Sequence, residues 1–238
     1  MHTLAKLHSD IVDQYVQCCE SSGTFALTQV LESLQVVGSN ETHGPVTIVL
    51  KLCGSKSVDE KQLLAILSCT LAPKVHQVVT LSLDLTGCSI SEAGALVLGQ
   101  GLADGSIAAL HLGGNFAANI TKNLRALTSP LHNTKASALE ILDLSHTDLS
   151  EESSCRELET VLESTPKLST LELAHCSLGP LGMRILCSFL LRGNLRQLST
   201  LDVSSNGIGP SGIQALATVL KTCELDTLSI ANNEIGDA

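Results

Sequence analysis

Aromatic side chains are nearly missing from this chain of 238 residues, which has no Trp, one Tyr (Tyr15) and three Phe. That scarcity removes the flat platforms on which single-stranded nucleic acids stack. Positive charge is short as well: 14 Lys and Arg stand against 24 Asp and Glu, for a formal net charge of -10. A phosphate backbone is repelled by such a surface, so nucleic acid is not an expected partner. No uninterrupted apolar stretch is long enough to span a bilayer, and the residues from His2 to Asp10 hold no apolar run of the length a secretory leader needs. The expectation is a soluble protein of a reducing compartment, cytoplasmic or nuclear. Also missing are the motifs G-x-x-x-x-G-K-[ST], H-E-x-x-H and G-x-S-x-G, so no enzyme, cofactor or metal is expected.

What the chain does hold is aliphatic. Hydrophobic residues make up 44% of it, enough for a core of stacked Leu, Ile and Val. Its nine cysteines, Cys18, Cys19, Cys53, Cys69, Cys88, Cys155, Cys176, Cys187 and Cys223, are odd in number and read as small buried hydrophobes. The adjacent Cys18 and Cys19 lack C-x-x-C spacing and read as helix packing. Two sequons, at Asn40 and Asn119, matter only in a secreted chain.

The stretch from Leu198 to Leu220 organises the rest. Leu198, Leu201, Val203, Asn206 and Ile208 follow the pattern L-x-x-L-x-L-x-x-N-x-L, a short strand and a tight turn. Leu201 and Val203 share one face of the pleat, leaving Asp202 on the other. Pro210 suits a first helical position, and Ile213, Leu216, Ala217 and Leu220 recur at helical spacing. Copies surround this unit. Their first strand leucines, at 83, 110, 142, 171, 201 and 228, are separated by 27, 32, 29, 30 and 27 residues. The copy at Leu110 is irregular, with Ala117 in place of a Leu, a helix register that slips around Leu124 and Leu127, and a longer return loop from His132 to Lys135. In the next copy Thr147 replaces the usual turn Asn or Cys.

Six such copies resemble the leucine-rich repeat family, and their long helical halves look like its ribonuclease-inhibitor subfamily, which includes the arrays of NOD-like receptors. The resemblance covers residues 78–238 well and 46–77 weakly. It implies an α/β fold: a right-handed solenoid, or horseshoe, with a parallel inner sheet and outer helices. Residues 1–39 are expected to form a helical cap or degenerate repeat, because a solenoid must shield its first strand. Within them Leu4, Leu7, Ile11, Val12, Tyr15, Val16 and Cys19 share a helical stripe. A second helix, capped by Thr24, buries Leu27, Val30, Leu31 and Leu34. The loop from Gly38 to Pro45 is a boundary. Residues 46–77 form a degenerate first repeat, with strand residues Ile48, Leu50 and Leu52, a capping box from Ser57 to Glu60, and Leu63, Leu64 and Leu67 on the helix. Residues 78–238 form the array. Its last copy has a strand and turn but no helix, which predicts a fragment or a truncated product.

The resemblance implies a non-catalytic interaction scaffold that binds protein on its concave face. The residues expected there are Asp84, His111, Asp143, Glu172, Asp202 and Ser229, flanked by Ser82, Ala109, Ile141, Thr170, Thr200 and Thr227 on one side and by Thr86, Gly113, Ser145, Ala174, Ser204 and Ala231 on the other. Four of the six are acidic, so a basic partner is the natural complement. The competing reading is that Leu-Asp-Leu is the repeat's own consensus and the stripe is merely solvated. An inhibitor of a basic protein, the regulatory array of an intracellular immune sensor, a nuclear adaptor of the Tonsoku-like kind and a Ran-type GTPase-activating protein all suit this fold. His146 and His175 occupy equivalent positions beside Cys176, but Cys176 is expected to point inward with Cys88, Asn115, Thr147, Asn206 and Asn233, which leaves no zinc site. The recurring Gly94, Gly182 and Gly212 read as close helix packing.

Overall fold

The alternating leucines fold into strands that stack in chain order. The computed structural model describes residues 4–38, 46–56, 58–70, 79–116, 119–133, 138–193 and 195–236. Among them, strands β2 (Val46–Lys51), β3 (Val79–Asp84), β4 (Ile107–His111), β5 (Ile141–Asp143), β6 (Thr170–Glu172), β7 (Thr200–Asp202) and β8 (Thr227–Ser229) run parallel, each paired with the next. Between them lie helices α3 (Glu60–Thr70), α4 (Glu92–Ala103), α5 (Ile120–Thr128), α6 (Glu152–Ser164), α7 (Gly179–Leu190) and α8 (Gly209–Val219). A strand, a turn and a helix thus repeat as an α/β solenoid. The inward pairs Leu83/Leu85, Leu110/Leu112, Leu142/Leu144, Leu171/Leu173 and Leu201/Val203 are fully enclosed, so one apolar column runs through successive units. The glycines fit the packing they were expected to serve: a Cβ on Gly94 would sit 3.2 Å from Leu63 of α3, and one on Gly182 3.2 Å from Cys155 of α6.

The turns are tied together by buried polar groups. Asn115 Nδ2 donates to Leu85 O at 2.7 Å, Asn206 Nδ2 to Leu173 O at 2.7 Å and Asn233 Nδ2 to Val203 O at 2.8 Å. Cys88 and Cys176 do the same with their thiols, reaching Leu52 O at 2.9 Å and Leu144 O at 3.3 Å. Each group therefore reaches back to a carbonyl just past the strand of the preceding unit. Asn206 Oδ1 also accepts the N–H groups of Cys176 and Leu178. Thr147 breaks the series, because its Oγ1 is buried without a hydrogen-bond partner. A threonine hydroxyl is shorter than an asparagine amide, and Leu112 O already accepts from Asn115 Nδ2 at 2.9 Å.

The N-terminal region departs from expectation. Helix α1 (Leu4–Ser21) forms and buries Leu7, Ile11, Tyr15 and Cys19. The second helix, α2 (Thr28–Ser33), is shorter than expected and is not capped by Thr24; Leu27 precedes it without a side-chain bond. Leu34 is already extended, and Gln35–Gly38 is a strand, β1, antiparallel to β2. The β-branched pair Val36–Val37 suits a strand, and pairing there satisfies the edge of β2. Thr24 serves instead in a cluster around Gln62 of α3. Tyr15 Oη donates to Gln62 Oε1 at 2.5 Å, while Gln62 Nε2 donates to Thr24 Oγ1 at 2.9 Å and to Phe25 O at 2.6 Å. This cluster fastens α1 to the first repeat.

Other expectations miss the buried face of a helix at single positions. Leu64 is exposed while Ile66 is buried, and in α8 Ala217 and Leu220 are exposed while Val219 is buried. The faces follow the 3.6-residue period from Leu63 and from Gly212 and Leu216, which passes through Ile66 and Val219. Phe116 is fully buried beside the turn of its unit, whereas Ala117 lies outside the described residues, as do the capping Ser57 and residues 39–45 of the boundary loop. Asp59 Oδ1 accepts the Gln62 N–H at 2.9 Å and so caps the start of α3. Cys53 is exposed rather than buried, because it falls after the strand where the chain turns outward.

Two substitutions test the turn series. Asn206→Ala removes an amide that serves carbonyl and N–H groups of two units, and about 3 kcal/mol of stability should be lost. Thr147→Val removes only an unpaired hydroxyl, and about 1 kcal/mol should be gained. Shifts of the urea midpoint in opposite directions are the expected result.

Candidate functional site

The register of the sheet brings the expected site residues into one row. Asp84 pairs with His111, His111 with Asp143, Asp143 with Glu172, Glu172 with Asp202, and Asp202 with Ser229. Each closes its strand on the side opposite the leucines, with neighbouring strands about 4.8 Å apart. The row Ser82, Ala109, Ile141, Thr170, Thr200 and Thr227 is in register beside it. Sequence periodicity alone thus located the row.

The way the carboxylates are held was not foreseen. Asp84 Oδ1 accepts the N–H of Thr86 at 3.1 Å and its hydroxyl at 2.8 Å; Asp202 Oδ1 accepts the N–H of Ser204 at 2.8 Å and its hydroxyl at 2.6 Å. Asp143 Oδ1 accepts the Ser145 N–H at 2.8 Å. One oxygen of each Asp thus braces the turn. The signal was present as Asp followed two residues later by Thr or Ser. Glu172 stands where Ala174 replaces that residue, and no such bond holds it among the described residues.

Charge is crowded along the row. His111 Nδ1 lies 3.7 Å from Asp143 Oδ2, an ion pair whose side chains are 29% and 12% exposed. The Asp143 carboxylate raises the proton affinity of the His111 ring against the opposing effect of burial, and Asp84 and Glu172 add to the rise. Burial pushes Asp143 upward, but His111 and Ser145 outweigh it and leave its pKa lowered. Glu172 is raised by burial and by the charges of Asp143 and Asp202, with only His111 opposing. At the end of the row the Cys53 thiol donates to Asp84 Oδ2 at 2.9 Å, and that bond, with burial, pushes the thiol to about 11. A thiol so held is a poor nucleophile.

The histidine pair serves the turns. His146 and His175 adopt left-handed backbone, with φ of 60° and 57°, at the turn position also held by Gly87, Gly114, Ser205 and Asn232. Histidine is among the residues enriched in that conformation. Their rings stack at 4.7 Å and 6° in the open, while Cys176 is fully buried with its thiol on Leu144 O. The three do not converge on a common point.

Asp143→Asn should lower the His111 ring pKa, as read from its imidazole resonances in a pH titration. In the parent protein the ion pair's contribution to stability is fully present below the unfolded histidine value of about 6.5. It fades as pH rises through the folded value, because the raised pKa belongs to the charged, paired form.

The described helices include none long and apolar enough to cross a membrane. Residues 195–217, spanning β7, its turn and most of α8, match the family model described as leucine rich repeat. No curated protein matches the chain. That match falls on the most regular unit of a sheet whose other strands repeat its register, and together they support a leucine-rich repeat protein.

Proposed function

We propose that this chain is a non-catalytic protein-interaction scaffold whose acidic concave row holds a basic partner. The observation that carries the reading is the in-register row Asp84, His111, Asp143, Glu172 and Asp202, in which four carboxylates share one side of a parallel sheet. Leucine-rich repeat domains generally mediate protein–protein interaction, and their extended curved surfaces suit that use. Turn bonds fix three of the carboxylates before any partner arrives, which lowers the cost of ordering them on binding. Glu172 resists ionisation because of burial and of its acidic neighbours Asp143 and Asp202; an arriving Lys or Arg relieves the repulsion. Helices of 11 to 13 residues in most units favour the ribonuclease-inhibitor-like subfamily. The Gln62 cluster favours reading residues 1–39 as a cap on a first repeat at 46–77, with the main array at 78–238. Nine cysteines without a disulfide suit the cytoplasm or nucleus.

Capture of a labelled oligolysine peptide on the immobilised chain tests the reading. Binding should weaken steeply with salt and vanish when Asp143, Glu172 and Asp202 are all changed to Lys. Unchanged capture by that variant, with its circular dichroism intact, moves the site off the row. Capture should also weaken as pH falls through the raised pKa of Glu172, above the usual glutamate value of about 4.3, since protonation removes a charge the peptide pairs with.

A further inference from the structure

We propose that His111, Asp143 and Glu172 form a divalent-metal site, of the kind that takes zinc, in the middle of the concave row. From three adjacent strands these residues bring one imidazole nitrogen and two carboxylate oxygens within 4.8 Å of one another. Their sequence separations of 32 and 29 residues carry no recognisable ligand spacing, which is why the chain read alone predicts no metal. The strand register supplies the convergence instead.

Two details set this triad apart from the rest of the row. Asp143 is only 9% exposed. Its Oδ1 is occupied by the Ser145 N–H, while its Oδ2 faces the His111 ring across 3.7 Å, too far for a hydrogen bond. The second detail is Gly113. Its place in the other units is taken by Thr86, Ser145, Ala174, Ser204 and Ala231, and a Cβ there would stand 3.3 Å from Asp143 Oδ2. The bare glycine leaves that oxygen approachable from the side.

The donor set fits a borderline ion. Imidazole and carboxylate ligands suit zinc, with bonds of about 2.0 to 2.2 Å. Tetrahedral coordination then needs donors about 3.4 Å apart. Rotation of Glu172, the one carboxylate of the row without a turn bond to restrain it, supplies the closure. Two carboxylates and a neutral imidazole offset the ion's charge, and three protein ligands leave a position for water or for a partner's side chain. The site goes beyond the acidic-face reading, and its test contains no protein partner, so the two fail separately.

The test is calorimetric titration of the chelator-stripped full chain with zinc chloride alone, paralleled by cobalt(II) absorption. One ion should bind, and cobalt should give visible d–d bands without the near-ultraviolet band of a thiolate complex. His111→Ala and Glu172→Gln, both on the open face and checked by circular dichroism, should each weaken binding at least tenfold. Cys53→Ser and the double variant His146→Ala/His175→Ala should bind as the parent does. The proposal is overturned by an absence of saturable binding, by binding that survives both ligand variants, by a thiolate band, or by loss confined to the His146/His175 variant.

Discussion

In five units of this chain, those of β3, β4, β6, β7 and β8, a buried polar group in the turn reaches back to a carbonyl of the unit before it. The rest of the structure depends on this reach. Strands of three residues make too few ladder bonds to set their own register firmly, and the turn amide adds a fixed point just beyond each strand. Asn206 binds carbonyl and N–H groups of the preceding unit, so it holds both spacing and alignment. Because the register is fixed, residues about 30 positions apart in the chain become neighbours on one surface. The acidic row is a direct product of that alignment.

The same alignment that builds the row also strains it. Carboxylates placed one per strand repel their neighbours, and the chain answers differently at each position. Asp84, Asp143 and Asp202 turn one oxygen to backbone N–H groups, and in Asp84 and Asp143 these bonds help to hold the pKa down against burial. His111 interrupts the acidic run with a ring that gains a proton more readily because of its neighbours. Glu172 is partly buried and has neither turn bond nor cationic neighbour on its Asp202 side; burial first, and then the charges of Asp143 and Asp202, raise its proton affinity. The solvated-consensus and binding-site readings of Leu-Asp-Leu share one feature: one oxygen of each Asp belongs to the turn.

Much of this was legible in the sequence for a specific reason. A strand period of two and a repeat of about 30 residues leave a single consistent register, so the row from Asp84 to Ser229 follows from counting. The same counting placed Asn115, Asn206 and Asn233 inside. What escaped has no period. Strand β1 is four residues long and is recruited by the edge of β2. Gln62 becomes a hub because Tyr15 and Thr24 fold onto it, contacts 47 and 38 residues apart in the chain. Cys53 looked like one more buried thiol until the outward turn exposed it to Asp84. The contact of His111 with Asp143 depends on the side-chain orientation of two neighbours, which register alone does not supply.

The orphan hydroxyl of Thr147 has a consequence for cooperativity. In a stacked array, units communicate only with their neighbours, so a missing bond weakens one joint and no other. Thr147 lies at the joint between the unit of β4 and that of β5, which lacks the turn bond and is closed on its helical side by Arg125 and Thr128 of α5 on Glu157 of α6. That joint has Asp84 and His111 on one side and Asp143, Glu172 and Asp202 on the other. A ligand that holds His111 together with Asp143 would therefore add a bond across this joint on its sheet side, where the turn side chain supplies none.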